Sequence, residues 1–108
     1  MSNAAALTGQ NFPAEILERE GVCLIDFWAA WCAPCRMMGP VVDELAADYA
    51  NRARVYKMDV DAEGALAAQY GVMNIPTLLL FKDGKEAGRL VGLQPKAALA
   101  AALEKALG

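Results

Sequence analysis

"FWAAWCAPCRMMGP", residues 27–40, sets two cysteines three apart behind a run of aromatic and small residues. Pro34 lies between them and Pro40 stands five residues past the second. Such a pair is a redox dithiol, half of a four-ligand metal site, or two small apolar fillers on a helix. Structural zinc takes four Cys or His ligands, and this chain has no histidine. The third thiol, Cys23, falls inside a run of strand type, so zinc fits poorly. Fillers account for neither Pro34 nor the flanking tryptophans, whereas a redox pair uses every residue. A helix opening near Cys32 aims unpaired N–H groups and the positive end of its dipole at that sulfur, favouring the thiolate that attacks disulfides. Cys35, one turn on and on the same face, stands within reach of a mixed disulfide on Cys32, and Pro34 stiffens the turn. Cys-x-x-Cys alone still leaves redox and other uses open.

The 108 residues suit one domain, 1–108, and a 56% hydrophobic content supplies its core. Met1-Ser2-Asn3-Ala4 reads as part tag remnant or disordered. A net charge of −3 without a basic run argues against a nucleic-acid surface. Three cysteines are too few for a disulfide-stapled secreted scaffold. No apolar run approaches the roughly 20 residues of a membrane span, and no charged leader precedes a hydrophobic stretch. The expectation is a soluble cytoplasmic monomer that binds neither nucleic acid nor membrane.

Outward from the motif, "VCLIDFW" (22–28) is a strand of the kind covered on both faces. Before it, Asn11 is expected to cap a short helix carrying Phe12, Ile16 and Leu17, with Pro13 in its first turn. After it, a helix runs from Cys32 or Pro34 to Tyr49, with Met38, Val41, Leu45 and Tyr49 recurring at helical spacing. Pro40 deprives the Arg36 carbonyl of its partner and predicts a kink. "RVYKMDV" (54–60) reads as a strand, and Asp61 as the cap of a helix bearing Leu66 and Tyr70 and ended by Gly71. Lys82-Asp83-Gly84-Lys85 joins "PTLLLF" to "EAGRLV" as a hairpin. Pro95 opens a last helix striped by Leu99, Leu103 and Leu107 and closed by Gly108. Strands alternating with helices, then a hairpin and a helix, predict an α/β sandwich around a mixed sheet.

Trp31-Cys32-Ala33-Pro34-Cys35 resembles the active site of the thioredoxin family. Asp59-Val60-Asp61, Ile75-Pro76-Thr77, "FKDGK" and Val91-Gly92 fall in that family's order and spacing over nearly the whole chain. The resemblance implies the thioredoxin fold: a central mixed β-sheet, parallel strands plus a C-terminal antiparallel hairpin, flanked by helices on both faces. It implies a protein-disulfide reductase and electron carrier in which Cys32 attacks, a mixed disulfide forms and Cys35 resolves it. Asp26 would lie beneath Cys35 and take or relay its proton, with Lys57 as charge partner. Read without the resemblance, Asp26 is either a buried carboxyl with a raised pKa or one reaching solvent at the strand's end, and Lys57 is an ordinary solvated residue.

The same resemblance makes Ile75–Pro76 a cis bond facing the dithiol, against the usual trans preference, and leaves the Ile75 backbone to pair with an extended substrate. Trp31, Ala33, Pro34 and Met73 would join Ile75 and Pro76 in an apolar docking patch, completed by Val91, Gly92 and Leu93. Trp28 and Pro40 are structural in this reading, and Cys23 is an inert buried filler. The two sulfurs carry both electrons, so neither a bound cofactor nor a metal is expected. Reducing equivalents would come from NADPH through a flavin-dependent reductase. Partners would be disulfide proteins such as ribonucleotide reductase, peroxiredoxin and methionine sulfoxide reductase, in electron transport and cell redox homeostasis.

Two features depart from the family's commonest pattern. Ala33 replaces a glycine, and Met73-Asn74 is an unusual pair ahead of Ile75. No histidine precedes Cys35, and without an imidazolium to stabilise the thiolate the couple favours reduction of partners over their oxidation. Two alternatives stand beside this reading: a specialised redox partner of one target, and a binding or chaperone-like module with incidental thiols.

Overall fold

Every residue of Val22–Trp28 except Asp26 is apolar, and the computed structural model gives the reason: this strand is the centre of the sheet. The structure describes residues 4–108. Met1 to Asn3 lie outside the described residues; Ala4, read with them as remnant or disorder, is buried in the core. Five strands, β1 (Ala5–Ala6), β2 (Val22–Trp28), β3 (Ala53–Asp59), β4 (Thr77–Lys82) and β5 (Lys85–Val91), run in the order β1-β3-β2-β4-β5. β2 pairs parallel with β3 and antiparallel with β4, which continues antiparallel to β5. The helices are α1 (Ala33–Asp48), α2 (Gly64–Gln69) and α3 (Lys96–Leu107), with one wide turn of helix at Pro13–Leu17. This is the thioredoxin fold expected from the sequence.

Alternate residues of a strand point to opposite faces, so β2 feeds two cores. Val22 and Leu24 join Val55, Leu78 and Leu80 under Met38, Val42 and Leu45 of α1 and Leu99 and Leu103 of α3. Cys23, Ile25 and Phe27 join Met58, Leu79 and Phe81 under Phe12, Ile16 and Ala67. Phe12, Tyr70 and Phe81 close this second core as a ring cluster with centroids 5.6–6.1 Å apart. Asp26 points to the α1 side, with Lys57 and Leu78 as its register partners on β3 and β4.

Several local expectations are corrected. Asn11 does not cap the first helix: its side-chain oxygen accepts the Thr8 N–H at 2.7 Å, and the cap position falls to Phe12 without a side-chain bond. The same oxygen also accepts the Thr8 hydroxyl at 3.3 Å, so both of its lone pairs are used away from the helix. Leu17 is largely exposed. Asp61 does not cap α2 either; Glu63 holds that position, and the Asp61 carboxylate accepts the Trp31 indole N–H at 2.9 Å. On α1, which continues through Pro40 as expected, Val42 is fully buried and Val41 packs partly buried against the same core. β1 has only two residues, too few for a periodic signal, and it exists because β3 offers a parallel edge.

The β4–β5 hairpin turns on Asp83 and Gly84, both left-handed at φ 52° and 84°, the pair a two-residue type I′ loop requires. A Cβ at residue 84 would press on the Leu17 carbonyl oxygen, whereas one at Gly64, the first residue of α2, would meet nothing within 4 Å. Gly84→Ala is therefore expected to lower stability by about 1–3 kcal/mol, and Gly64→Ala to raise it by about 0.5 kcal/mol. Denaturant titration of both variants checks this; equal midpoints would mean the turn carries no strain.

Candidate active site

β2 ends at Trp28, and a short loop delivers the chain to Cys32, the N-cap of α1 with extended backbone at φ −94°, ψ 109°. Helix geometry leaves the first N–H groups without intrahelical acceptors, and here the Cys32 sulfur takes one of them, the Cys35 N–H at 3.2 Å. The Cys32 and Cys35 sulfurs are bonded to each other, with Cα atoms 5.2 Å apart. Ala29, Cys32 and Cys35 form a small buried cluster against which Trp28, Val60 and Ile75 pack. The two cysteines differ less in exposure, 5% against 3%, than in what surrounds them. Cys32 borders exposed Trp31, Ala33 and Pro34, while Cys35 lines a cleft of about 180 Å³ with Asp26, Trp28, Arg36, Gly39 and Lys57.

Opposite Cys32 stands the loop before β4. The Ile75–Pro76 peptide is cis, and the Ile75 carbonyl oxygen lies 3.8 Å from Cys32 Sγ. Thr77 is buried and its hydroxyl donates to the Asn74 carbonyl, while Gly92 donates its N–H to the Pro76 carbonyl at 2.8 Å, tying the end of β5 to this loop. Of the expected patch, Trp31 (68% exposed), Met73 (89%), Val91 and Leu93 (51% each) present apolar surface. Ile75 and Gly92 are half-buried, and Pro76 lies beneath the surface. Trp28 belongs to neither main core but sits half-buried against the disulfide. Arg36 turns back to donate to the Ala30 carbonyl at 2.9 Å.

Asp26 is 1% exposed, and its Oδ1 has no hydrogen-bond partner among the described residues. Burial pushes its carboxyl up from the usual range to about 7, with the Lys57 ammonium pulling the other way and Asp43 adding to the rise. Lys57 is ion-paired with Asp43 at 3.2 Å. Sequence reading missed Asp43, although its spacing from Gly39 and Arg36, four and seven residues, places it on the same face of α1. Asp61, which the sequence offers as a helix cap, is instead the partner of Trp31. Cys23 is buried; burial raises its thiol pKa, and the Arg54 guanidinium 2.9 Å from its sulfur opposes the rise. Among the described residues no three His, Cys, Asp or Glu side chains converge as metal ligands would.

A disulfide capping a helix and facing a cis-proline loop, beyond the end of the central strand of a mixed α/β sheet, defines a dithiol–disulfide exchange protein. Sequence and structure comparisons carry this further. The thioredoxin family profile matches residues 3–105. The chain is 49% identical over 107 residues to "Thioredoxin 1" of Synechococcus elongatus, covering 99% of this chain and all of the relative. It is 50% identical over 101 residues to the thioredoxin of Staphylococcus aureus, covering 94% and 95% of the two chains. A mutant thioredoxin from Halobacterium salinarum superimposes with a TM-score of 0.89 at 40% identity, over the whole of this chain and 96% of that one. The chain belongs to the thioredoxin family. It is a protein dithiol–disulfide oxidoreductase, acting as a protein-disulfide reductase, and the binding-module alternative is not favoured. Membership implies a reductase and disulfide-containing proteins as partners. No helix among the described residues is long and apolar enough to cross a membrane.

Because folding raises the Asp26 pKa, the folded chain holds a proton that the unfolded chain releases above about pH 4. The stability contributed by neutral Asp26 is complete below that pH and is lost as pH rises through about 7. Relative to Asp26→Asn, the oxidised parent protein should lose up to about 4 kcal/mol between about pH 4 and pH 8. Parallel stability–pH curves for the two proteins would refute the raised value.

Proposed function

We propose that Cys32 is the attacking sulfur and Cys35 the resolving one in reduction of partner disulfides by a single domain, residues 1–108. The observation carrying this is the different setting of the two sulfurs: Cys32 caps α1 beside exposed apolar side chains, and Cys35 faces the cleft that holds Asp26. The Cys32 thiolate attacks one sulfur of the substrate disulfide, forming a Cys32–substrate bond and releasing the other substrate sulfur as a thiolate. Ionised Asp26 takes the Cys35 proton. The Cys35 thiolate then attacks Cys32 Sγ, forms the intramolecular disulfide and expels the second substrate thiolate. Two electrons have passed to the substrate, and the protein is left in the oxidised state that the structure shows.

An acceptor titrating near neutrality is matched to this proton transfer, since it is ionised often enough to accept and is reloaded without a large energy gap. Lys57 sets the field around Asp26. The extended substrate segment lies along the Ile75 backbone beside Cys32, as an added strand would. Trp31, Ala33, Pro34, Met73, Val91 and Leu93 dock its apolar side chains with little demand on sequence, while Pro76 and Gly92 shape the loop. Trp28 and Pro40 serve the fold. NADPH, through a flavin-dependent reductase, would renew the dithiol, and the chain needs no cofactor of its own for the exchange. Ribonucleotide reductase, peroxiredoxin and methionine sulfoxide reductase are suitable targets in a cytoplasmic monomer serving electron transport and redox homeostasis.

Insulin reduction with single-cysteine variants tests the assignment. Cys35→Ser should accumulate a thiol-sensitive mixed disulfide on Cys32, while Cys32→Ser should lose activity on the order of a thousandfold and form no adduct. An adduct on Cys35 in the Cys32→Ser protein would reverse the roles. Asp26→Asn should slow resolution of the mixed disulfide by about ten- to a hundredfold at neutral pH, and an unchanged resolution rate would remove Asp26 from the mechanism.

A further inference from the structure

Register places Asp26 and Lys57 side by side on β2 and β3. A buried carboxyl next to an ammonium would ordinarily be claimed by it, because pairing offsets the cost of burying the charge. Here the ammonium goes elsewhere. Lys57 Nζ pairs with Asp43 Oδ1 on α1 at 3.2 Å, and Asp26 Oδ1 is left without a hydrogen-bond partner among the described residues. The ammonium rests against the bare backbone of Gly39, where a Cβ would sit 3.6 Å from Nζ. Both side chains of the pair are about four-fifths buried, so water screens it only partly. The cleft that joins Asp26 to Cys35 is also lined by Lys57 and Gly39.

We propose that Asp43 is a positioning residue that tethers the Lys57 ammonium beside Gly39 and keeps it from collapsing onto the Asp26 carboxyl. The inference rests on the reading of Asp26 as proton acceptor for Cys35. Among the described residues, the charged groups around Asp26 are Lys57 from β3 and Arg36 and Asp43 from α1, Cys35 being held in the disulfide; β4 offers Leu78, and α3 offers Leu99 and Leu103 to the core on that face. Arg36 is engaged with the Ala30 carbonyl, which leaves Lys57 as the cation whose position can change. Loss of Asp43 removes one negative charge from the neighbourhood and frees the ammonium for Asp26. Both effects favour the ionised carboxyl, in line with the upward contribution of Asp43 to the Asp26 pKa. An acceptor that ionises too readily holds a proton poorly, so the tether matches Asp26 to Cys35.

The test is a carboxyl ¹³C NMR titration of Asp26 in the oxidised protein, in parent, Asp43→Asn and Asp43→Glu forms and again in the Lys57→Gln background. The Asp43→Asn midpoint should fall by about one pH unit, and Asp43→Glu should restore most of it. With Lys57→Gln present, Asp43→Asn should move the midpoint by less than half as much. An unmoved midpoint in Asp43→Asn, or an equal shift with Lys57 absent, would overturn the proposal. Asp43→Ser gives the same test should the amide disturb α1. Because the readout is a titration and not a turnover, it separates this inference from the proton-acceptor reading, which fails independently if Asp26→Asn leaves mixed-disulfide resolution unchanged.

Discussion

The central strand β2 is hydrogen-bonded on both edges and covered on both faces, and the remaining architecture follows from satisfying it. Such a strand tolerates apolar side chains of either parity and almost nothing else. Its one exception, Asp26, lies two residues from the end at which the chain leaves for Cys32. The sheet thus carries a carboxyl into the interior beneath the dithiol. The high cost of a bare buried charge keeps that carboxyl protonated up to about neutrality. Burial, the constraint that makes the fold, is also what tunes the group.

α1 couples that interior to the surface. Its first turn holds both sulfurs, Cys32 as the cap and Cys35 facing inward, and its next two turns carry Gly39 and Asp43 along the same side as Lys57. Met38, Val42 and Leu45, on the adjoining face, lock the helix against the sheet. A helix so anchored cannot rotate its first turn without disturbing the core, which fixes the sulfurs relative to Asp26 below and the Ile75 carbonyl opposite. The loop that supplies this carbonyl is fixed in turn by the Gly92 to Pro76 hydrogen bond from the end of β5. Three distant segments therefore meet at one disulfide.

Legibility in the sequence tracked how local the governing interaction is. The β4–β5 turn was readable because Asp-Gly meets the dihedral demand of a two-residue loop within itself. β2 was readable as an unbroken apolar run of strand length, and α1 through its helical periodicity. Asn11 and Asp61 misled because both are good caps in isolation, yet each found another partner, Thr8 three residues back and Trp31 thirty residues away. β1 was invisible since two residues have no pattern and the strand depends on the edge of β3. At the site, Cys32 and Cys35 stood out through their spacing, and Asp26 through its polarity in an apolar run. Lys57 acquired a meaning only through resemblance to a family, and the helical spacing of Asp43 from Gly39 and Arg36 acquired one only when β3 and α1 were brought together.

The longer elements, the hairpin, the dithiol at a helix start and the family are all written in the chain, because apolar patterning, turn dihedrals and a spaced motif are properties of neighbouring residues. The tertiary structure decided which cation Asp26 sees, which carboxylate holds that cation, and where Trp31 and the Ile75 carbonyl lie relative to the sulfurs. Those outcomes depend on distances between segments far apart in the chain and on the loss of water between them. Neither quantity exists until the sheet has closed and α1 has packed across it.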